Sequence, residues 1–148
     1  ETNYAQSANL SFKIPLGTSA HELARKKAQA VSNTENLRDK VELVYINNLA
    51  VYAVDFYLKF LGFETKFEQS NSQDKLTLQF KTSSDLLVKN IGFVECIAVE
   101  ENTDNYEISL DVSFDRIGYI IVELSASRRE AVILGLTKTY KSLINLFR

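Results

Sequence analysis

The chain has 148 residues, 45% of them apolar and 24% charged, with a formal net charge of −2 at pH 7. That is enough apolar matter for one core and too balanced a charge for the long-range attraction that a nucleic-acid or anionic-membrane binder exploits. The short basic clusters Arg25-Lys26-Lys27 and Arg128-Arg129 are diluted by Glu22 and Glu130 and read as solvated faces.

In chain order, Glu1 to Asn9 is polar and reads as a frayed start. Leu10 to Ile14 alternates apolar and polar as a half-buried strand does, and Pro15-Leu16-Gly17 stops it. Ser19-Ala20-His21-Glu22 has the form of a capping box, opening a first helix to Val31 with Ala20, Leu23, Ala24, the stem of Lys27 and Val31 as its apolar stripe. A second helix is predicted from about Glu35 to Leu61, with Gly62 available for a left-handed C-terminal turn.

The core of that second helix, Val41 to Leu61, is polar only at Glu42, Asn47, Asn48, Asp55 and Lys59. The charges and the Asn pair argue against a membrane span, and Asp55 and Lys59 stand in the acid-first i,i+4 order of a surface ion pair. A segment this apolar needs cover on nearly every side, so it reads as a central buried helix. Lys40, Asn47, Asn48, Asp55 and Lys59 fall on one arc of about 120°, and an apolar row of Leu37, Val44, Val51 and Leu58 lies in the same arc at seven-residue intervals. That row reads first as packing against the first helix, because buried faces outnumber functional ones, and otherwise as the candidate interaction surface.

Beyond Phe67 the period changes. Glu68 to Asp74 is a polar loop, Leu76 to Phe80 alternates as a strand, Thr82-Ser83-Ser84 reads as a turn, and Asp85 to Asn90 is a short strand or turn. Gly92 to Val99 is a strand apolar on both faces, with Phe93, Ile97 and Val99 on one side and Val94, Cys96 and Ala98 on the other. After a polar loop at 101–105, strands are expected at Tyr106 to Val112, Ile117 to Leu124 and Ala131 to Leu136, then a closing helix over Lys138 to Arg148. Helices first and strands after them make an α+β fold: two N-terminal helices, the second long and central, on a mainly antiparallel sheet of about five strands.

The run Val44-Tyr45-Ile46-Asn47-Asn48-Leu49-Ala50-Val51-Tyr52-Ala53-Val54, with Tyr57 to Gly62 after it, resembles the cyanobacterial domain of unknown function numbered 1822. Gly92-Phe93-Val94-Glu95-Cys96, Asp115 to Val122 and Ala131 to Leu136 are similar to it in the same order, so the resemblance spans roughly residues 10–148. Where that family usually follows its Glu-Cys with Arg-Pro, this chain has Ile97-Ala98. The resemblance implies no reaction. It implies a regulatory or adaptor role, beside a sigma-type transcription regulator or a caspase-like protease. It also implies that residues 1–148 are one α+β domain, the N-terminal part of a longer protein, which suits a chain that starts at Glu1 and contains no methionine.

Candidate chemistry is sparse. Cys96 and His21 are the only residues of their kinds, so a cysteine hydrolase would have to use them as nucleophile and base. Cys96 instead reads as a small buried hydrophobe in a strand, and His21 as a residue in the first turn of a helix, where the dipole opposes an imidazolium. One histidine and one cysteine cannot make a zinc site, no loop has calcium spacing, and five scattered glycines make no phosphate cradle. No cofactor, metal or catalytic residue is expected. Glu95, on the strand face of Phe93 and Ile97, is predicted to pair with Arg116 in a structural contact. Tyr45, Tyr52 and Phe56 are the candidate lining of a small-ligand pocket between helix and sheet. With a lone cysteine and no leader segment, the expected compartment is the reducing cytoplasm. The leading expectation is a non-enzymatic protein-interaction domain whose partner is another protein or a further C-terminal domain, with no nucleic acid and no membrane.

Overall fold

In the computed structural model, residues 12–32, 40–66, 83–101 and 116–137 are described. They form β1 (Phe12–Pro15), α1 (Thr18–Ser32), α2 (Val41–Phe60), β2 (Thr65–Lys66), β3 (Ser83–Val88), β4 (Gly92–Glu100), β5 (Arg116–Leu124) and β6 (Glu130–Thr137). The expected frayed start, the strands at 76–80 and 106–112 and the helix over 138–148 lie outside the described residues.

The first helix begins at Thr18, where the Gly17 carbonyl accepts the His21 N–H at 3.2 Å. Ser19 therefore sits inside the first turn instead of capping it, with its hydroxyl 3.5 Å from that of Tyr52. The buried stripe of α1 is Ala20, Ala24 and Ala28, while Leu23 is exposed. An i,i+4 row of alanines lets α1 lie close against α2, and a leucine would not fit there. The end of α2 follows the expected motif. Gly62 has φ +97°, its N–H bonds to the Lys59 carbonyl at 3.0 Å, and the Phe63 N–H bonds to the Leu58 carbonyl at 2.9 Å. These two bonds close a Schellman turn.

Among the described residues the sheet has six strands, in the order β1-β6-β5-β4-β3-β2. Every adjacent pair is antiparallel except β4 and β5, which run parallel. Ser83 and Ser84, expected in a turn, open β3 and pair with Ile97 and Cys96. Register shifts leave Ile117 as an extra residue on β5 and Leu134 as one on β6; such bulges sharpen local twist and bend. The sheet curls so far that α2 touches all six strands. Phe12 of β1 stacks on Tyr57 and Phe60, while Thr65 of β2 bonds to Asp55, although β1 and β2 are opposite edges. The helix is a rod held inside a half-barrel.

This geometry turns the polar arc of α2 inward. Asn47, Asn48 and Asp55 are buried together with Val44, Val51 and Leu58. Asn48 donates to the Val44 carbonyl at 2.7 Å. Asp55 accepts from the Thr65 hydroxyl and from Lys59 at 3.0 Å, the acid-first pair read from the sequence. Asn47 is 1% exposed, and its amide meets no hydrogen-bond partner among the described residues. The two-faced character of β4 is as expected: Val94, Cys96 and Ala98 pack toward α2, whereas Ile97 and Val99 cluster with Tyr119 and Ile121 on the other face.

Candidate functional site

Two surface features stand out from this frame. The first lies between the helices. Arg25, Ala28 and Gln29 of α1 and Val41, Glu42 and Tyr45 of α2 line a cleft of about 340 Å3. The alanine stripe positions it, because helices that approach closely leave room only where side chains splay apart. Arg25 places its guanidinium 5.9 Å from the centroid of the Tyr45 ring, a cation–π distance. Behind the ring, the Tyr45 hydroxyl bonds to Nδ1 of His21, and Nε2 of His21 bonds to the Arg128 carbonyl oxygen at 2.7 Å. A carbonyl only accepts, so Nε2 donates its proton to the Arg128 carbonyl, while Nδ1 shares a hydrogen bond with the Tyr45 hydroxyl.

The third element in this network is the β5–β6 turn. Ser125 shapes it by accepting the Arg129 and Glu130 N–H groups on its hydroxyl, and Arg128 takes a left-handed φ of 61°. Its two terminal nitrogens hold both oxygens of Glu100 at 2.7 and 2.6 Å. These bonds keep the Glu100 carboxyl below its ordinary pKa, against a smaller opposing effect of burial. Nearby, burial raises the Glu123 carboxyl, with the charge of Glu101 adding to the shift. The single imidazole thus ties together α1, α2 and a sheet turn.

The second feature is apolar. Phe56, Phe60, Leu61, Phe63 and Ile91 are all exposed, Phe60 by 68%. Phe56 and Phe60 are one turn apart on α2, and Leu61 and Phe63 flank its closing glycine. The β2–β3 ladder continues outward through the Lys89 N–H to Glu64 carbonyl bond at 2.9 Å, Glu64 being next in sequence to Phe63 and Lys89 two residues before Ile91. Phe60, Leu61 and Phe63 thus crowd the C-terminal end of α2, one turn beyond Phe56, and Ile91 is exposed in the β3–β4 turn.

The residues singled out in the sequence fall as follows. Val44, Val51 and Leu58 are core residues, Val44 against Ala28 and the other two in the main cluster, so the proposed seam is not accessible; Leu37 lies outside the described residues. Val44 is covered by α1, the packing read from the sequence, and Val51 and Leu58 lie in the core shared by α1 and the curled sheet. Of the residues expected to line a pocket between helix and sheet, Tyr45 lines the inter-helix cleft, Tyr52 packs on the core and Phe56 is exposed. Cys96 is buried with its Sγ 3.9 Å from the Val94 carbonyl, while both ring nitrogens of His21 are bonded elsewhere, so the two are not brought together. Glu95 is buried, and the backbone sets Arg116 opposite Phe93 and Tyr119 opposite Glu95; the Arg116 side chain lies outside the described residues. Among the described residues no three His, Cys, Asp or Glu side chains could share a metal ion, and no helix is long and apolar enough to cross a membrane.

Sequence reasoning missed Glu42 as a cleft residue, and it read Arg25 as part of a solvated face. It also missed the exposed end. A signal for the latter was present in Phe60-Leu61-Gly62-Phe63, where a helix stop is crowded with aromatics. A family model described as a protein of unknown function, DUF1822, matches residues 14–144. No curated protein and no solved structure matches the chain.

Proposed function

As the chain belongs to the DUF1822 family, whose description names no activity, we propose that it is a non-enzymatic protein-interaction domain with a regulatory or adaptor role. The observation that carries this reading is the exposure of Phe56, Phe60, Leu61 and Phe63 at the C-terminal end of α2, with Ile91 exposed in the β3–β4 turn. Large apolar side chains gathered on one surface mark sites of association, whereas isolated ones need no explanation. Aromatic anchors of this kind supply most of the binding energy in protein interfaces. The buried thiol of Cys96 and the fully engaged ring of His21 support a role without nucleophilic catalysis. A single free cysteine in the core also suits the cytoplasm.

The partner is another protein or a further domain of the same polypeptide, with a sigma-type regulator or a caspase-like protease as the first to be tried. The test is affinity capture with the parent chain and with a Phe60→Ser, Ile91→Ser double variant. Both positions are exposed, so the variant should fold with a stability within about 1 kcal/mol of the parent. A partner captured by the parent and lost by the variant supports the reading. Recovery of the same partners by both versions overturns it.

A further inference from the structure

We propose that the cleft between α1 and α2 binds a small zwitterion, a molecule with one carboxylate and one ammonium group on an apolar body, and that His21 registers its arrival. Arg25 contributes a positive wall from α1 and Glu42 a negative wall from α2, over a floor of Ala28, Val41 and the Tyr45 ring. Among the described residues neither charge has an ion-pair partner. The guanidinium of Arg25 lies over the Tyr45 ring, 5.9 Å from its centroid. Glu42 feels the charge of Arg128, but that guanidinium already grips both oxygens of Glu100.

Two uncommitted opposite charges facing one cleft discriminate against most ligand classes. An anion alone would meet Glu42, and a cation alone would meet Arg25. A ligand with both charges satisfies both walls, and an apolar body covers the floor. A volume of about 340 Å3 is at the small end of ligand sites, the scale of an amino acid or dipeptide. The Tyr45 ring is the part of the floor with a connection beyond the cleft. Its hydroxyl bonds to His21, and His21 bonds to the Arg128 carbonyl in the β5–β6 turn. A ligand that shifts the ring changes the hydrogen bond to the only histidine in the chain.

That single histidine makes the test clean. The chain is titrated with phenylalanine and with diphenylalanine, and in parallel with N-acetylphenylalanine and phenylalaninamide, which each lack one charge. Backbone and imidazole NMR signals are followed throughout. The expected result is saturable movement at Arg25, Glu42, Tyr45 and the His21 ring with at least one zwitterion. Binding of each charge-deleted analogue should be about tenfold weaker, the size of one lost charge-assisted contact. Arg25→Gln and Glu42→Gln should each remove that preference, and Arg25→Lys should restore it. Tyr45→Phe should silence the His21 signal while binding persists. The proposal is overturned if no zwitterion gives saturable shifts at the cleft, or if the analogues bind as well as their parent. None of these variants touches the apolar end, so the outcome is independent of the interaction reading.

Discussion

Arg128 holds Glu100 in a two-bond clasp, guanidinium to carboxylate, from a backbone position where φ is 61°. A residue other than glycine in that region costs roughly 1–2 kcal/mol, and the clasp helps to offset it. Glu100 is 54% exposed, so solvent screening limits the pair to about 1 kcal/mol. Arg128→Met should therefore destabilise the fold by up to about 1 kcal/mol, and Arg128→Gly should cost less because it relieves the strain. Urea denaturation of both variants measures the difference.

The same pair sets a pH dependence whose sign can be worked out. The Glu100 carboxyl is depressed in the fold, so its contribution is present above the unfolded carboxylate pKa and fades as pH falls through the lower folded value. Glu123 is shifted the other way. Its protonated form is favoured in the fold, so its effect is fully present at low pH and is lost as pH rises through the raised value. Glu123→Gln should raise Tm at pH 7 by no more than about 2–4 °C, whereas Glu100→Gln should lower it. Melting curves between pH 3 and 8 should show the two variants departing from the parent in opposite directions.

Asn47 is buried with an amide that no described group satisfies. Asn47→Leu replaces an unpaired polar group with an apolar one of similar size, and stability should rise by about 1–2 kcal/mol. A fall of that size in urea denaturation would show that the amide has a partner the fold depends on.

Thr65 is half-buried and donates its hydroxyl to Asp55, a carboxylate on the inner side of α2. Thr65→Val keeps the shape and removes the donor, leaving Lys59 as the described partner of that carboxylate. The loss should be about 1–3 kcal/mol, read from the urea midpoint. Ala24→Leu should cost a similar amount, about 1–3 kcal/mol, by forcing a larger side chain between the helices.

Cys96 is in the core against α2. A thiol-reactive dye should label the native chain only as fast as it unfolds, with rapid labelling once urea is added. Fast stoichiometric labelling of native protein would reopen the case for a reactive thiol.

Much of the architecture was legible because hydrophobic period reports burial directly. The near-continuous apolar run from Val41 to Leu61 predicted a helix covered on most sides, and the alternation in β4 predicted that both its faces are covered. The parallel join of β4 and β5 was not legible, since side-chain alternation is the same in either direction. Nor was the inward turn of Asn47, Asn48 and Asp55, because polarity argues for solvent unless the partners are known, and one of the two described partners of Asp55, Thr65, is on another element. The cleft depends on Arg25 and Glu42 facing one space from two different helices, and nothing local in either segment signals that.

The sheet order carries a consequence for how the molecule is made. Phe12 pairs with Ile133, so the earliest described strand finds its neighbour only in the latest one. During synthesis β6 must leave the ribosome before the β1 backbone can pair, although Phe12 can already meet Tyr57 and Phe60 of α2. Contacts so distant along the chain are slow to form. Nascent chains cut short ahead of residue 130 should therefore fail to close their outer edge and become ready clients for chaperones.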